Sequence, residues 1–182
     1  MLTVGFVPEG TSGRNTKNQV AKELNTTGMY SVVRNPLYLG NFIIWLGLSM
    51  FVRIWWLSLI IILIFWLYYE RIIFAEEEFL RSKFGSSYMK WAEKTPAFIP
   101  KFNQWRNPIY PFSWRTALKG EYSGFFAIIV TFTFMEMVGD YVLTGTWDYD
   151  PMWQIISLSG LFIYLVLRIM KKNHLLDVKG RP

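Results

Sequence analysis

The sequence predicts an all-α, polytopic membrane protein with about four transmembrane helices and a cytoplasmic interfacial helix, and three observations lead there. Of the 182 residues, 52% are hydrophobic and 19% aromatic, with a mean hydropathy of +0.22, which is more apolar than a soluble core of this length requires. Charged residues make up 18% of the chain and gather in blocks, leaving long stretches almost uncharged, as a hydrocarbon solvent demands. Four apolar segments stand out, at residues 37–52, 54–74, 124–143 and 153–169.

A bilayer core of about 30 Å needs roughly 20 helical residues, so the second and third segments suffice as they stand, while the first and fourth need tilt or snorkelling ends. Only Arg53 and the Ile54-Trp55-Trp56 run separate the first two, which predicts a tight antiparallel hairpin with aromatic anchors at the interface. Residues 75–92 carry Phe79, Leu80, Phe84, Tyr88 and Trp91 at spacings of mostly three and four between charges. That pattern predicts an amphipathic interfacial helix, with Gly85 as a candidate break and Pro96 and Pro100 ending it. The expected organisation is a core over 1–100, a cytoplasmic linker over 101–123 and a C-terminal hairpin with a basic tail over 124–182.

Orientation follows from Lys and Arg. Basic residues precede the first segment, lie between the second and third, and follow the fourth, whereas residues 144–151 carry two acids and no Lys or Arg. Both termini are therefore expected on the cytoplasmic side of a multi-pass protein. Residues 1–20 lack a charged region followed by an apolar run, so no cleavable signal peptide is visible and insertion is expected to rely on the internal helices. The net charge of +6 sits on no soluble nucleic-acid motif; anionic lipid headgroups are the better partner, and no nucleic acid is expected. With no Cys and the single His174, no metal site is expected.

Two constellations can carry chemistry. Residues 27–41 lead directly into the first segment and contain Arg34, Asn35, Pro36, Tyr38 and Gly40. Arg34 offers a planar fork of donors for a carboxylate or phosphate, Pro36 stiffens the helix start, and Gly40 permits close approach to the backbone. A snorkelling arginine capping a span is an equally open reading. The second constellation is Glu76-Glu77-Glu78 where the second segment leaves the membrane, followed by Phe84-Gly85-Ser86-Ser87-Tyr88. Three adjacent carboxylates near lipid headgroups repel one another and favour a resident cation such as a sulfonium or ammonium. A solvated helix face with a Glu77 to Arg81 pair is the plainer alternative. Glu136 and Asp140, one turn apart in the third segment, are either functional intramembrane acids or residues near the outer interface. His174, after Lys171 and Lys172, reads most simply as a tail residue facing headgroups.

Taken in order, Arg34-Asn35-Pro36-Leu37-Tyr38-Leu39-Gly40, a helical hairpin, Glu76-Glu77-Glu78-Phe79-Leu80, Phe84-Gly85-x-x-Tyr88, Pro96 and Pro100 resemble the isoprenylcysteine carboxyl methyltransferase and phospholipid methyltransferase superfamily. The resemblance implies a membrane-embedded enzyme using S-adenosylmethionine, with Arg34, Asn35, Pro36, Tyr38, Gly40, Glu76 and Glu77 at the cofactor site. Arg14, Asn15 and Tyr88 are candidate substrate contacts, Arg14 and Asn15 lying in a hydroxyl-rich loop suited to a phosphate. The family usually has histidine where this chain has Asn35, which cannot titrate near neutrality, so no catalytic acid or base is assigned and positioning is the expected mechanism. Relatives commonly carry apolar helices upstream of the arginine motif, so further helices there are an open expectation. The acceptor is expected to be a lipid or lipidated carboxylate, phosphate or amine, with a lipid phosphate such as that of lipid A favoured and a bacterial inner membrane as location. The alternatives are a sterol-reductase-like NADPH enzyme, against which the acids argue by repelling a dinucleotide, and a non-catalytic membrane scaffold.

Overall fold

The computed structural model describes residues 5–6, 21–147 and 149–181. Arg14, Asn15 and the hydroxyl-rich loop around them lie outside the described residues. The described part is all-helical: α1 (Met29–Val32), α2 (Pro36–Phe51), α3 (Trp55–Phe84), α4 (Ser86–Ala92), a short 3-10 turn (Phe102–Gln104), α5 (Trp114–Thr144) and α6 (Pro151–Lys172).

Three of these helices, α3, α5 and α6, are long and apolar enough to cross a bilayer. At 1.5 Å per residue their 30, 31 and 22 residues reach about 45, 46 and 33 Å. The expected first span, α2, has only 16 residues and reaches about 24 Å, so of the four predicted spans three meet the length of a bilayer core. Pro36 stands at its start, and Arg53, in the left-handed region at φ 58°, turns the chain into α3. Residues 75–92, expected to continue the second span into water as an amphipathic helix with a candidate break at Gly85, divide there. Residues 75–84 continue α3 without a break, and Gly85, at φ 51°, ends it before the seven-residue α4. An apolar span with good helix formers beyond it has no reason to stop at the membrane surface; only the left-handed glycine ends the hydrogen-bond ladder.

α5 likewise begins earlier than its apolar stretch, at Trp114 inside the expected linker, because Ser113 caps it by accepting from the Thr116 N–H at 3.3 Å. Asp150 caps α6 through the Met152 N–H, and Pro151 opens that helix.

Two helical hairpins result. α2 packs antiparallel on α3 through an aromatic seam: Tyr38 on Tyr69 at 5.3 Å, Phe42 on Phe65 at 5.1 Å, and Phe65 stacked on Tyr69 at 4.0 Å between centroids. α5 packs on α6 through a Thr133–Ser157 hydroxyl contact of 2.8 Å and the stacked rings of Tyr122, Phe126 and Tyr164. Phe51, at the far end of α2, meets Phe132 and Trp153 and ties one hairpin to the other. Outside these seams the helices expose Leu63, Ile64, Leu67, Phe134, Leu158 and Phe162, a surface that water would not tolerate and lipid tails would cover. The protein is multi-pass in the membrane.

Gly160 is a point of close approach of α6 to α5, since a Cβ there would meet Ile129 Cδ1 at 2.7 Å and Cγ2 at 3.2 Å. Gly160→Leu should therefore splay this hairpin and lower the unfolding free energy by about 1–3 kcal/mol in detergent, read by thermal melting of the helical signal, whereas Thr133→Val should cost about 0.6 kcal/mol. An unchanged melt for Gly160→Leu would contradict the packing.

Candidate functional site

The site forms where α3 leaves the apolar region and the chain before α2 comes back against it. α1 and the loop after α4 are laced by backbone bonds: the Arg34 N–H donates to the Pro96 carbonyl at 2.8 Å and the Lys101 N–H to the Val32 carbonyl at 2.9 Å. Trp91 adds its indole N–H to the Tyr30 carbonyl at 3.0 Å.

Onto this lacing Arg34 projects a two-sided clasp. Its Nε–H and Nη2–H donate to the two Glu77 oxygens at 2.9 and 3.1 Å, and Nη1 donates to the Ala92 and Thr95 carbonyls at 2.9 and 3.2 Å. Four of the five N–H donors of the guanidinium are thus engaged, leaving one. Asn35 reinforces the clasp, donating Nδ2–H bonds to Glu77 Oε1 at 3.0 Å and the Ala97 carbonyl at 3.2 Å. Tyr38 donates its hydroxyl to Glu76 Oε2 at 2.8 Å. The plainer alternative of a Glu77 to Arg81 pair is not what forms; Arg81 pairs with Glu78 at 3.4 Å on the exposed side. Each acid of the run thus has its own partner: Arg34 for Glu77, Tyr38 for Glu76, Arg81 for Glu78.

Two tyrosines complete the surroundings. Burial, and then the Glu76 charge, push the Tyr30 hydroxyl above the ordinary phenol range. Burial and the Glu77 charge do the same for Tyr88, with Arg34 and Arg81 pulling the other way. Both stay protonated near neutrality. The Tyr88 hydroxyl is buried against Glu77, whose carboxylate Arg34 and Asn35 already hold.

Beside the clasp lies an apolar groove of about 230 Å³ whose walls include Phe65, Trp66, Tyr69, Ile73, Phe98 and Ala97, together with Glu77 itself. Of the sequence-predicted residues, Arg34, Asn35, Tyr38, Glu76, Glu77 and Tyr88 come together here, with Pro36 setting the start of α2. Gly40 lies within α2, two residues beyond Tyr38. Glu136 and Asp140 are half-buried on α5, far along the chain from the clasp, toward its Thr144 end. His174 is not a free headgroup contact: its ring pairs with Asp177 at 2.7 Å, and Asp177 in turn with Lys119 at 3.0 Å, the two partners holding that carboxyl below its usual range. The residues missed from the sequence are Tyr30, Trp91 and the carbonyls of Ala92, Thr95, Pro96 and Ala97; backbone acceptors have no side-chain signature, and Pro96 alone marked the segment.

Residues 11–87 match the family model described as phospholipid methyltransferase. Over 77 residues the chain is 39% identical to a protein-S-isoprenylcysteine O-methyltransferase of Schizosaccharomyces pombe, covering 42% of this chain and 33% of that protein. It is 35% identical over 114 residues to the nickel-cobalt-cadmium resistance protein NccN of Alcaligenes xylosoxydans xylosoxydans, covering 59% of this chain and 53% of that one. It is 36% identical over 83 residues to the cobalt-zinc-cadmium resistance protein CzcN of Cupriavidus metallidurans, covering 46% and 38%. The chain thus spans between a third and about half of the length of these curated relatives. No solved structure matches. The resemblance drawn from the motifs holds over this segment, and nothing in the comparisons favours a reductase.

Because both partners of the clasp are largely shielded, removing either strands the other. Arg34→Met and Glu77→Met should each lower the unfolding free energy by roughly 2–4 kcal/mol, and the double variant by less than their sum, with a coupling of about 1–3 kcal/mol. Strictly additive losses in detergent titrations followed by circular dichroism would refute the clasp.

Proposed function

With residues 11–87 matching the phospholipid methyltransferase family, we propose that this chain is an S-adenosylmethionine-dependent methyltransferase acting at the cytoplasmic membrane face on a lipid or lipidated acceptor. The observation that carries the reading is that Glu77 belongs both to the clasp and to the apolar groove. A fixed carboxylate and a hydrocarbon-compatible slot therefore meet at one residue, as needed to bring a cationic methyl donor to an apolar acceptor.

When bound, the cofactor supplies an electrophilic methyl on a sulfonium and carries an ammonium and a carboxylate. The donor set fits the cationic groups: Glu76 and Glu77 are adjacent carboxylates, and the Tyr88 hydroxyl lies against Glu77. Arg34 acts chiefly by orienting Glu77, with one N–H left for a ligand carboxylate, while Asn35 and Tyr38 hold the two carboxylates at one depth. Pro36 and Gly40 shape the α2 face beside them. Asn35 does not titrate, Tyr30 and Tyr88 stay protonated, and the Glu76 and Glu77 carboxylates are held by Tyr38 and by Arg34 with Asn35, so the arrangement suits an acceptor that attacks as an anion already formed. Placement and partial desolvation then lower the barrier. A carboxylate or phosphate suits this, and a lipid phosphate such as that of lipid A is the favoured acceptor. The positive blocks flanking the spans support a cytoplasmic side for both termini and the clasp, and the reading takes the membrane to be a bacterial inner membrane.

Calorimetry of the full chain in detergent should give micromolar S-adenosylmethionine binding, weakened about tenfold or more by Glu76→Gln or Tyr88→Phe, variants expected to keep the fold by thermal melting. Tighter binding of NADPH than of S-adenosylmethionine would move the protein to a reductase, and binding of neither would defeat the proposal.

A further inference from the structure

On the far side of the segment that Arg34 holds lies a second groove, of about 390 Å³, whose lining includes Lys90, Lys94, Arg106, Thr26, Ser87 and Gln104. Among the described residues no Asp or Glu lines it. Lys90, in α4, and Lys94, two residues past its end, line the same groove, so two like charges face one cavity. Glu93, between them in sequence, is not among the lining residues. The third cation is built in from below: the Gly28 N–H donates to the Arg106 carbonyl at 2.9 Å, the Arg106 N–H donates to Ser31 Oγ at 2.9 Å, and the Ser31 hydroxyl donates to the Gly28 carbonyl at 2.7 Å. The wall is shared with the clasp, for Thr95 lines the groove while its carbonyl receives Arg34. The stretch of chain that carries Gln104 and Arg106 also exposes Ile99, Phe102, Trp105, Ile109, Tyr110 and Trp114, the kind of aromatic and aliphatic residues that suit headgroup depth.

We propose that this groove binds the phosphate of an anionic lipid headgroup. Three cations, four hydroxyl side chains and an amide around a volume of this size match a phosphate monoester, which carries up to two charges and several strong acceptors. Seating an anion relieves the repulsion between Lys90 and Lys94, and the neighbouring belt keeps the groove among lipid phosphates rather than in bulk water. The inference stands on this charge and geometry and does not depend on methyl transfer; a soluble phosphate has the same chemistry and is the other possible source.

The test is calorimetric titration of the full chain, in neutral detergent, with dihexanoyl phosphatidic acid, dihexanoyl phosphatidylcholine and inorganic pyrophosphate. Phosphatidic acid should bind, and Lys90→Gln/Lys94→Gln should weaken it about tenfold or more, because two charge-assisted contacts are lost. Lys172→Gln/Lys179→Gln, which removes the same two charges elsewhere, should keep the original affinity, and thermal melting should report both variants folded. Binding of phosphatidic acid alone assigns a lipid headgroup; equal binding of pyrophosphate assigns a soluble phosphate to the same groove. Equal weakening in both double variants, equal binding of phosphatidylcholine, or no binding of either phosphate probe would overturn the proposal.

Discussion

The Arg34–Glu77 ion pair is the interaction on which the rest of the site depends. It joins residues 43 apart in sequence, and the same guanidinium closes on carbonyls 58 and 61 residues away. Three pieces of chain that share no secondary structure, the turn before α2, the end of α3 and the loop after α4, are held by one side chain. A lysine could not do this, since a single ammonium lacks the planar fork that meets a carboxylate on one edge and two carbonyls on the other. The cost of shielding the charges is offset because nearly every donor is used, the condition under which such a pair holds rather than loosens a fold.

The membrane explains why the pair sits where it does. α3 runs uncharged from Trp55 to Tyr69 and then carries Glu70, Arg71 and the acidic run within the same helix. The hydrocarbon region ends inside the helix, not at its terminus. A carboxylate there is partly sheltered by lipid and protein, so its attraction to Arg34 is less screened than in water, while water remains close enough to keep both ions charged. The aromatic seam of α2 on α3 sets the depth, bringing Tyr38 level with Glu76 and leaving the apolar groove beside Glu77.

Much of this was legible from residue patterns. The apolar segments, the tight turn at Arg53 and the break at Gly85 follow from hydropathy and from residues with special backbone freedom. The order of the arginine and acidic motifs indicated that they share a site. What was not legible follows from length and from backbone. The shortness of α2 depends on where its hydrogen-bond ladder ends, which hydropathy does not report. Arg34 and the acids read as groups facing outward to a ligand, whereas they face each other, because the carbonyls that complete the clasp have no sequence signature. His174 pairs with Asp177 in the last turn of the chain, a contact made by a left-handed backbone at position 174 that no motif announces.

The clasp, the apolar groove and the basic groove meet around residues 91–98, a segment too short and irregular to stand alone. Its ordering by Arg34 is what turns a helical hairpin into a site with a charged floor and an apolar wall. The most direct measurement is hydrogen exchange of the full chain in lipid nanodiscs with and without S-adenosylmethionine. The account predicts new protection confined to residues 30–38 and 76–97, and protection elsewhere, or none at saturating cofactor, would contradict it.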